Sequence, residues 1–251
     1  MTRLLPRLLL LVAIVVASST VAAQTKGADG NANIIRWAKG KIEYRVLSTG
    51  ERNGEEDWYL TVHPDGSRTM RAVNRLDNVD FHRSVILRVE ENFRPLEVMA
   101  TYWIRGAWAG SGLFTIDDNV LEAVANTPNG RLTQRLAVPK NFSVIPHPLS
   151  TNSWQTWHYD KARGGDQPTT VYDMDALADR SGSLLGRLST QNVRFIGSET
   201  LTTPAGTFLT DHFRIGDGVE LYVTGPDALM VKFVWTAADR EYILIALESS
   251  R

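Results

Sequence analysis

From Lys41 onward, apolar and polar residues alternate with a period of two. Ile42, Tyr44 and Val46 stand between Lys41, Glu43 and Arg45, and Trp58, Leu60 and Val62 repeat the pattern. Successive side chains of an extended chain point to opposite faces, so each run predicts a strand with one wet face. His63-Pro64-Asp65-Gly66-Ser67 predicts a tight turn, with proline presetting its φ and glycine taking the left-handed position. Arg68 to Asn74 is the returning arm. Val85 to Val89, Leu96 to Ile104, Trp108 to Phe114, Val120 to Ala125 and Leu132 to Val138 continue the series, with Asn92 to Pro95, Asp117 to Asn119 and Pro128-Asn129-Gly130 as turns. After a long interval the pattern resumes at Val193. It runs through Glu199 to Thr203, Thr207 to Ile215, Val219 to Val223, Leu229 to Trp235 and Tyr242 to Leu247.

Strands at roughly 8–12-residue intervals, separated by turn residues, predict an all-β, mainly antiparallel fold: a curled or barrel-like meander of about ten or more strands. A βαβ fold needs helical crossovers, and none is visible before residue 140. Asp173 to Leu188, with Met174, Leu177, Leu184 and Leu188 on one stripe, predicts the one short helical segment. Asn141 to Thr170 has no clear period and is rich in Pro, His, Ser and Trp.

The first residues change the picture of where the chain acts. Arg3 and Arg7 precede the unbroken apolar run Leu8 to Ala17, and Val21-Ala22-Ala23 ends in small residues. This is the build of a secretory signal, with cleavage expected after Ala23. An apolar run of about ten residues is too short to span ~30 Å of hydrocarbon. The expected organisation is residues 1–23 as signal peptide, 24–40 as a flexible lead-in, and 41–251 as a single β-rich domain, exported to the periplasm with no membrane span after processing.

Composition narrows the chemistry. The 251 residues are 43% hydrophobic and 22% charged, which is globular. The absence of cysteine excludes disulfides, thiolate metal sites, cysteine nucleophiles and a lipid anchor. Without Arg3 and Arg7, 25 basic residues face 28 acidic ones, about −3 in net charge, and no basic block supports nucleic-acid binding. No phosphate loop, dinucleotide fingerprint, Gly-x-Ser-x-Gly elbow or histidine pair at metalloprotease spacing is present, so neither cofactor nor metal is expected.

Pro146 to Asp160 gathers two histidines, two tryptophans, a tyrosine and an aspartate. His158 and Asp160 could form an acid–base pair in an aromatic-walled pocket, or the same residues could pack the loop over the barrel end. His212 and Arg214 share one strand face, opposite Phe213. They meet water if Phe213 points inward, and line a cavity if the concave face is polar. Trp103 and Trp108, brought near Trp154 and Trp157 by a folded-back loop, would suit a flat apolar ligand or serve equally well as core. The candidate catalytic residues are His158, Asp160 and His212. The candidate ligand-binding residues are Trp103, Trp108, His147, Trp154, Trp157, Tyr159 and Arg214. His63 and His82 read as solvated.

Ser198-Glu199-Thr200-Leu201-Thr202-Thr203-Pro204-Ala205-Gly206-Thr207-Phe208 resembles the "T-V-x-x-P-A-G-T-F" hairpin of a family of exported proteobacterial proteins of unknown function. Val219 to Val223, Met230 to Trp235 and His147-Pro148-Leu149-Ser150 extend the likeness over about the last 110 residues. The resemblance implies a curled antiparallel sheet around an apolar groove with a helix plugging the open side, similar to the lipoprotein carriers LolA and LppX. It implies no catalytic residues. Three readings follow. The first is a periplasmic binder or carrier of a hydrophobic, aromatic or amphiphilic small molecule or lipid in the concave face. The second is a cofactor-independent lyase, isomerase, hydratase or hydrolase acting on an aromatic or polycyclic substrate. The third is an envelope assembly partner docking by a sheet edge.

Overall fold

The computed structural model describes residues 34–174, 184–216 and 218–250. The alternating runs become fifteen strands. The first half holds β1 (Arg36–Val46), β2 (Arg52–Val62), β3 (Arg68–Leu76), β4 (Phe81–Val89), β5 (Pro95–Ile104), β6 (Ala107–Asp117), β7 (Val120–Thr127) and β8 (Gly130–Ala137). The second holds β9 (Ser143–Ile145), β10 (Gln167–Asp173), β11 (Arg187–Thr203), β12 (Gly206–Ile215), β13 (Val219–Thr224), β14 (Leu229–Trp235) and β15 (Arg240–Ser249).

All fifteen belong to one sheet, ordered β8-β7-β6-β5-β4-β3-β2-β1-β15-β14-β13-β12-β11-β10-β9. Each half is a meander, and the halves are joined where β1 pairs with β15. Every pair is antiparallel except β9 with β10. The right-handed twist of so many strands accumulates into a curl, helped by bulges such as those at Lys41/Ile42 in β1 and Phe195/Gly197 in β11.

The curl stops short of closure, leaving β8 and β9 as edges. Side chains bridge the seam. The Tyr172 hydroxyl donates to Gln134 Oε1 at 2.6 Å, Gln134 Nε2 donates to the Gly186 carbonyl at 3.0 Å, and the Gly186 N–H donates back to the Tyr172 oxygen at 2.6 Å. Burial pushes the Tyr172 phenol up to about 12, so it remains a donor across the neutral range.

One face of each strand supplies the core, including Ile42, Leu60, Met70, Leu87, Val98, Phe114, Leu121, Val193, Leu221 and Leu244. The open side of the curl is covered by the segment that has no sequence period. It contains β9, a single turn of helix α1 (Leu149–Asn152) and a 3-10 stretch, Ser153–His158. Leu149 to Thr156 are all buried. The concave side is therefore packed with side chains from the sheet and from this plug.

The helical segment thus lies at 149–158. In the 173–188 window, β10 runs to Asp173 and β11 begins at Arg187; positions 175–183 lie outside the described residues. The signal segment and residues 24–33 also lie outside them, and β1 begins five residues before Lys41. No helix among the described residues is long and apolar enough to cross a membrane.

Close strand packing sets one stability expectation. A Cβ at Gly54 would stand 2.2 Å from the Arg75 carbonyl oxygen, a backbone atom that cannot swing aside. Gly54→Ala is expected to lose about 1–3 kcal/mol by overpacking, read as a lower urea midpoint at unchanged m-value. A midpoint within error of the parent would mean that β2 and β3 separate freely there.

Candidate functional site

The plug is fastened to the sheet by polar residues at inward positions. Glu56, Asn74, Arg83 and Tyr102 are direct cross-strand partners in β2, β3, β4 and β5, forming one row across the concave face. Glu56 is fully buried. Its Oε2 accepts the Leu149 N–H at 2.7 Å and the Tyr44 hydroxyl at 2.6 Å, and its Oε1 accepts the Ser150 N–H at 3.0 Å. The carboxylate therefore satisfies two first-turn donors of α1 that no carbonyl can reach. Burial pushes the Glu56 carboxyl up, and the hydrogen bonds from Ser150, Tyr44 and Leu149 offset this only in part. Arg83 donates from Nη1 to the Pro146 carbonyl at 3.2 Å, with its guanidinium over the rings of Phe81 and Tyr102.

A second fastening lies at the other end of the plug. Asp227 takes Nε and Nη2 of Arg36 at 2.8 and 2.6 Å and Nε of buried Arg68 at 2.9 Å. Its backbone carbonyl accepts Trp154 Nε1–H at 3.0 Å. The Arg68 guanidinium lies 4.2 Å from the centroid of the Phe93 ring, which in turn stacks on Trp157 at 4.2 Å and meets Trp154 edge-on. These contacts hold Phe93 at φ 62°, a left-handed conformation costly for a bulky residue. A cleft of about 220 Å³ beside them is lined by Thr156, Trp157, Tyr159, Lys161, Asp211 and Phe213 among others. Lys161 and Asp211 pair across it at 2.5 Å.

Of the two arrangements open to His158 and Asp160, the structure does not show the acid–base pair. Asp160 is exposed and its Oδ1 accepts the Ala162 and Arg163 N–H groups of its own turn. The His158 ring is held by the Phe142 carbonyl, and burial pushes its pKa down. His158 Nε2 is buried without a hydrogen-bond partner. His158 closes the 3-10 stretch and Asp160 lies two residues beyond it in a turn, so the two side chains meet different surroundings. His212 lies on the outer face, as Phe213 points inward. Its Nδ1 and Nε2 face Glu199 at 3.1 Å and Glu220 at 2.5 Å, its ring stacks on Tyr222, and Arg214 joins Glu220 at 2.7 Å. His147 Nε2 donates to the Met174 carbonyl at 2.6 Å, tying the plug to the end of β10.

Nor are the tryptophans brought together. Trp103 and Trp108 oppose each other on the outer face at one end of β5 and β6. Phe93, the partner of Trp154 and Trp157, precedes the other end of β5, ten residues or roughly 30 Å of extended chain away. Trp154 is core, and the Tyr159 hydroxyl is used on the Gly165 carbonyl. Among the described residues no group of three or more His, Asp or Glu could hold a metal ion.

A large recess lies on the outer face. A groove of about 760 Å³ over β15, β1, β2, β3 and β4 is lined by Lys39, Lys41, Tyr59, Arg71, Val73 and Ile86 among others. It shares Ser84 and Ile86 with a second recess of about 480 Å³ over β4 to β8, lined by Met99, Leu113, Val124 and Arg131 among others. The floor follows one cross-strand row: Arg71, Ile86, Met99, Leu113 and Val124 are successive direct partners. On one side runs the row Val73, Ser84, Thr101, Ser111, whose small hydroxyl residues leave the trough open. None of these residues stands out singly in the sequence. The available clue is that alternation fails at the same row, in Val85-Ile86-Leu87, Val98-Met99-Ala100, Gly112-Leu113-Phe114 and Ala123-Val124-Ala125.

These features define an open, curled, β-barrel-like protein with a packed interior and an apolar trough outside. The chain matches no family model and no curated protein. Among solved structures it is similar to a β-barrel-like protein of the domain of unknown function DUF1849 from Brucella abortus, with TM-score 0.53 and 8% identity over 87% of this chain and 99% of that one. That likeness concerns the fold alone. A candidate lipoprotein from Parabacteroides distasonis (TM-score 0.28, 12% identity, 84% of this chain and 94% of that one) also aligns. So does a candidate exported protein with a YmcC-like fold from Bacteroides fragilis (TM-score 0.27, 8% identity, 84% and 95%). Neither superposes closely enough to carry an argument.

Proposed function

We propose that this chain is an exported binding protein for a hydrophobic or amphiphilic small molecule or lipid, and that the ligand lies in the outer trough. The single observation that carries this reading is the continuous run of exposed or half-buried apolar side chains, Ile86, Met99, Leu113 and Val124, along a recess deep enough for a ligand. Ligand sites are concave and mostly apolar with a few placed polar groups, and an exposed apolar patch on a soluble protein marks an interaction surface. The concave face expected from the sequence is filled by the plug, which moves the proposed site to the opposite side of the sheet. The carrier-fold analogy drawn from the Pro204-Ala205-Gly206 hairpin points to the same cargo class. Export rests on Arg3, Arg7 and the apolar run Leu8 to Ala17.

The test uses N-phenyl-1-naphthylamine, a neutral apolar fluorophore, titrated into the protein expressed from Gln24. Its emission is expected to rise on binding. Met99→Asp and Leu113→Asp, which place a charge in the trough without touching the core, are each expected to weaken binding about tenfold or more. Equal affinity in both variants, at unchanged thermal stability, would remove the trough as the site.

A further inference from the structure

We infer that the trough takes a single-chain anionic amphiphile, with its headgroup on Arg71 and its chain laid across the strands toward Val124. This rests on the proposed binding role and adds charge, orientation and length to it. The charges around the trough are unequally matched. Lys39 pairs with Glu248 at 2.7 Å, and Lys41 is shared by Asp57 at 3.1 Å and Glu55 at 3.2 Å. Every carboxylate lining the trough is thus already answered by a lysine. Arg71 has no carboxylate within ion-pair distance among the described residues. Its guanidinium lies over the Tyr59 ring, 4.9 Å from the centroid. A guanidinium stacked by its face keeps its N–H edge for an anion, and that fork fits a carboxylate or a phosphate in bidentate fashion. Among the described residues Arg71 is thus the trough-lining cation at this end that no carboxylate pairs.

The remaining geometry sets the tail. From Arg71 on β3 to Val124 on β7 the row crosses four strand gaps, or about 19 Å at ~4.8 Å per gap. That is the reach of a long, extended acyl chain. The apolar floor is one residue wide. On one side stand Ser84, Thr101 and Ser111, and on the other the paired charges Arg88 and Glu97, 3.2 Å apart. A second acyl chain would lie on polar side chains, so one chain fits and two do not.

The experiment displaces bound N-phenyl-1-naphthylamine with hexadecanoate, hexadecyl phosphate, hexadecanol and octanoate, on the protein expressed from Gln24. At least one of hexadecanoate and hexadecyl phosphate is expected to displace the probe about tenfold more tightly than hexadecanol and octanoate. Whichever of the two is tighter identifies the headgroup. Arg71→Ala is expected to weaken the tighter anion about tenfold more than it weakens hexadecanol or the probe, and Arg71→Lys to restore part of that difference. Hexadecanol displacing the probe as tightly as both anions would overturn this inference and leave the binding role standing. Failure of the probe to bind at all, or a dimer in sedimentation whose formation is blocked by Leu113→Asp, would overturn both.

Discussion

Replacing Glu56 with alanine is expected to lower the unfolding free energy by about 3–5 kcal/mol, since up to three buried donors then lose their acceptor. The Leu149 and Ser150 amides and the Tyr44 hydroxyl all point at this one side chain, and no water reaches it. The loss is read from urea unfolding, together with faster amide exchange at Leu149 and Ser150. Glu56→Gln keeps one acceptor oxygen and is expected to lose less. The pH dependence gives an independent check. The folded pKa of Glu56 is raised, so its contribution is complete below the unfolded carboxyl value of about 4.3 and declines as pH rises through the folded value. Glu56→Gln should lack that decline. A loss below about 1 kcal/mol for the alanine variant would show that the plug holds without this carboxylate.

Asp227→Ala is expected to be of similar size, about 3–5 kcal/mol, because Arg68 is left buried without its counter-charge. Its pH behaviour runs the opposite way. Burial pushes the Asp227 carboxyl up, but hydrogen bonds from Arg36 and Arg68 outweigh burial and hold it below the usual range. Its contribution is therefore present above the unfolded value near 3.9 and is lost as pH falls through the folded one. Acid unfolding monitored by tryptophan fluorescence should lose part of its steepness in the variant, as Trp154 donates to the Asp227 carbonyl. An acid transition identical to the parent's would place the Arg36–Arg68 cluster outside the cooperative unit.

Strand positions were legible because each half-buried strand reports itself through alternation. Phe81 to Val89 shows this: Phe81, Val85, Leu87 and Val89 are inward and buried. The same rule hides whatever breaks it. Glu56, Asn74 and Arg83 are polar residues at inward positions, and a period-two reading assigns polar residues to water. Glu56 and Arg83 find their partners in the amides and carbonyl of a plug about 65 to 95 residues away in the chain, which no local window contains. The plug itself was legible as unusual, through Pro146 to Asp160, but its direction was not. His158 and Asp160 are near in sequence and apart in space, because one is turned onto the Phe142 carbonyl and the other caps its own turn. Outer apolar residues such as Met99 and Leu113 interrupt the alternation and carry no signal of their own within one strand. Only registering five strands against one another lines them up.

The pairing of β1 with β15 governs how the molecule comes to exist. The strand nearest the start of the sheet and the strand nearest its end are centre-line partners, separated by some two hundred residues of intervening chain. Until β15 arrives, the amides and carbonyls along one side of β1 and of β14 are unclaimed, and each half-meander offers them to any other extended segment it meets. Contacts so remote in sequence make for slow assembly and a long interval of vulnerability to self-association. A nascent copy of this protein therefore gains its protection only when β15 pairs with β1.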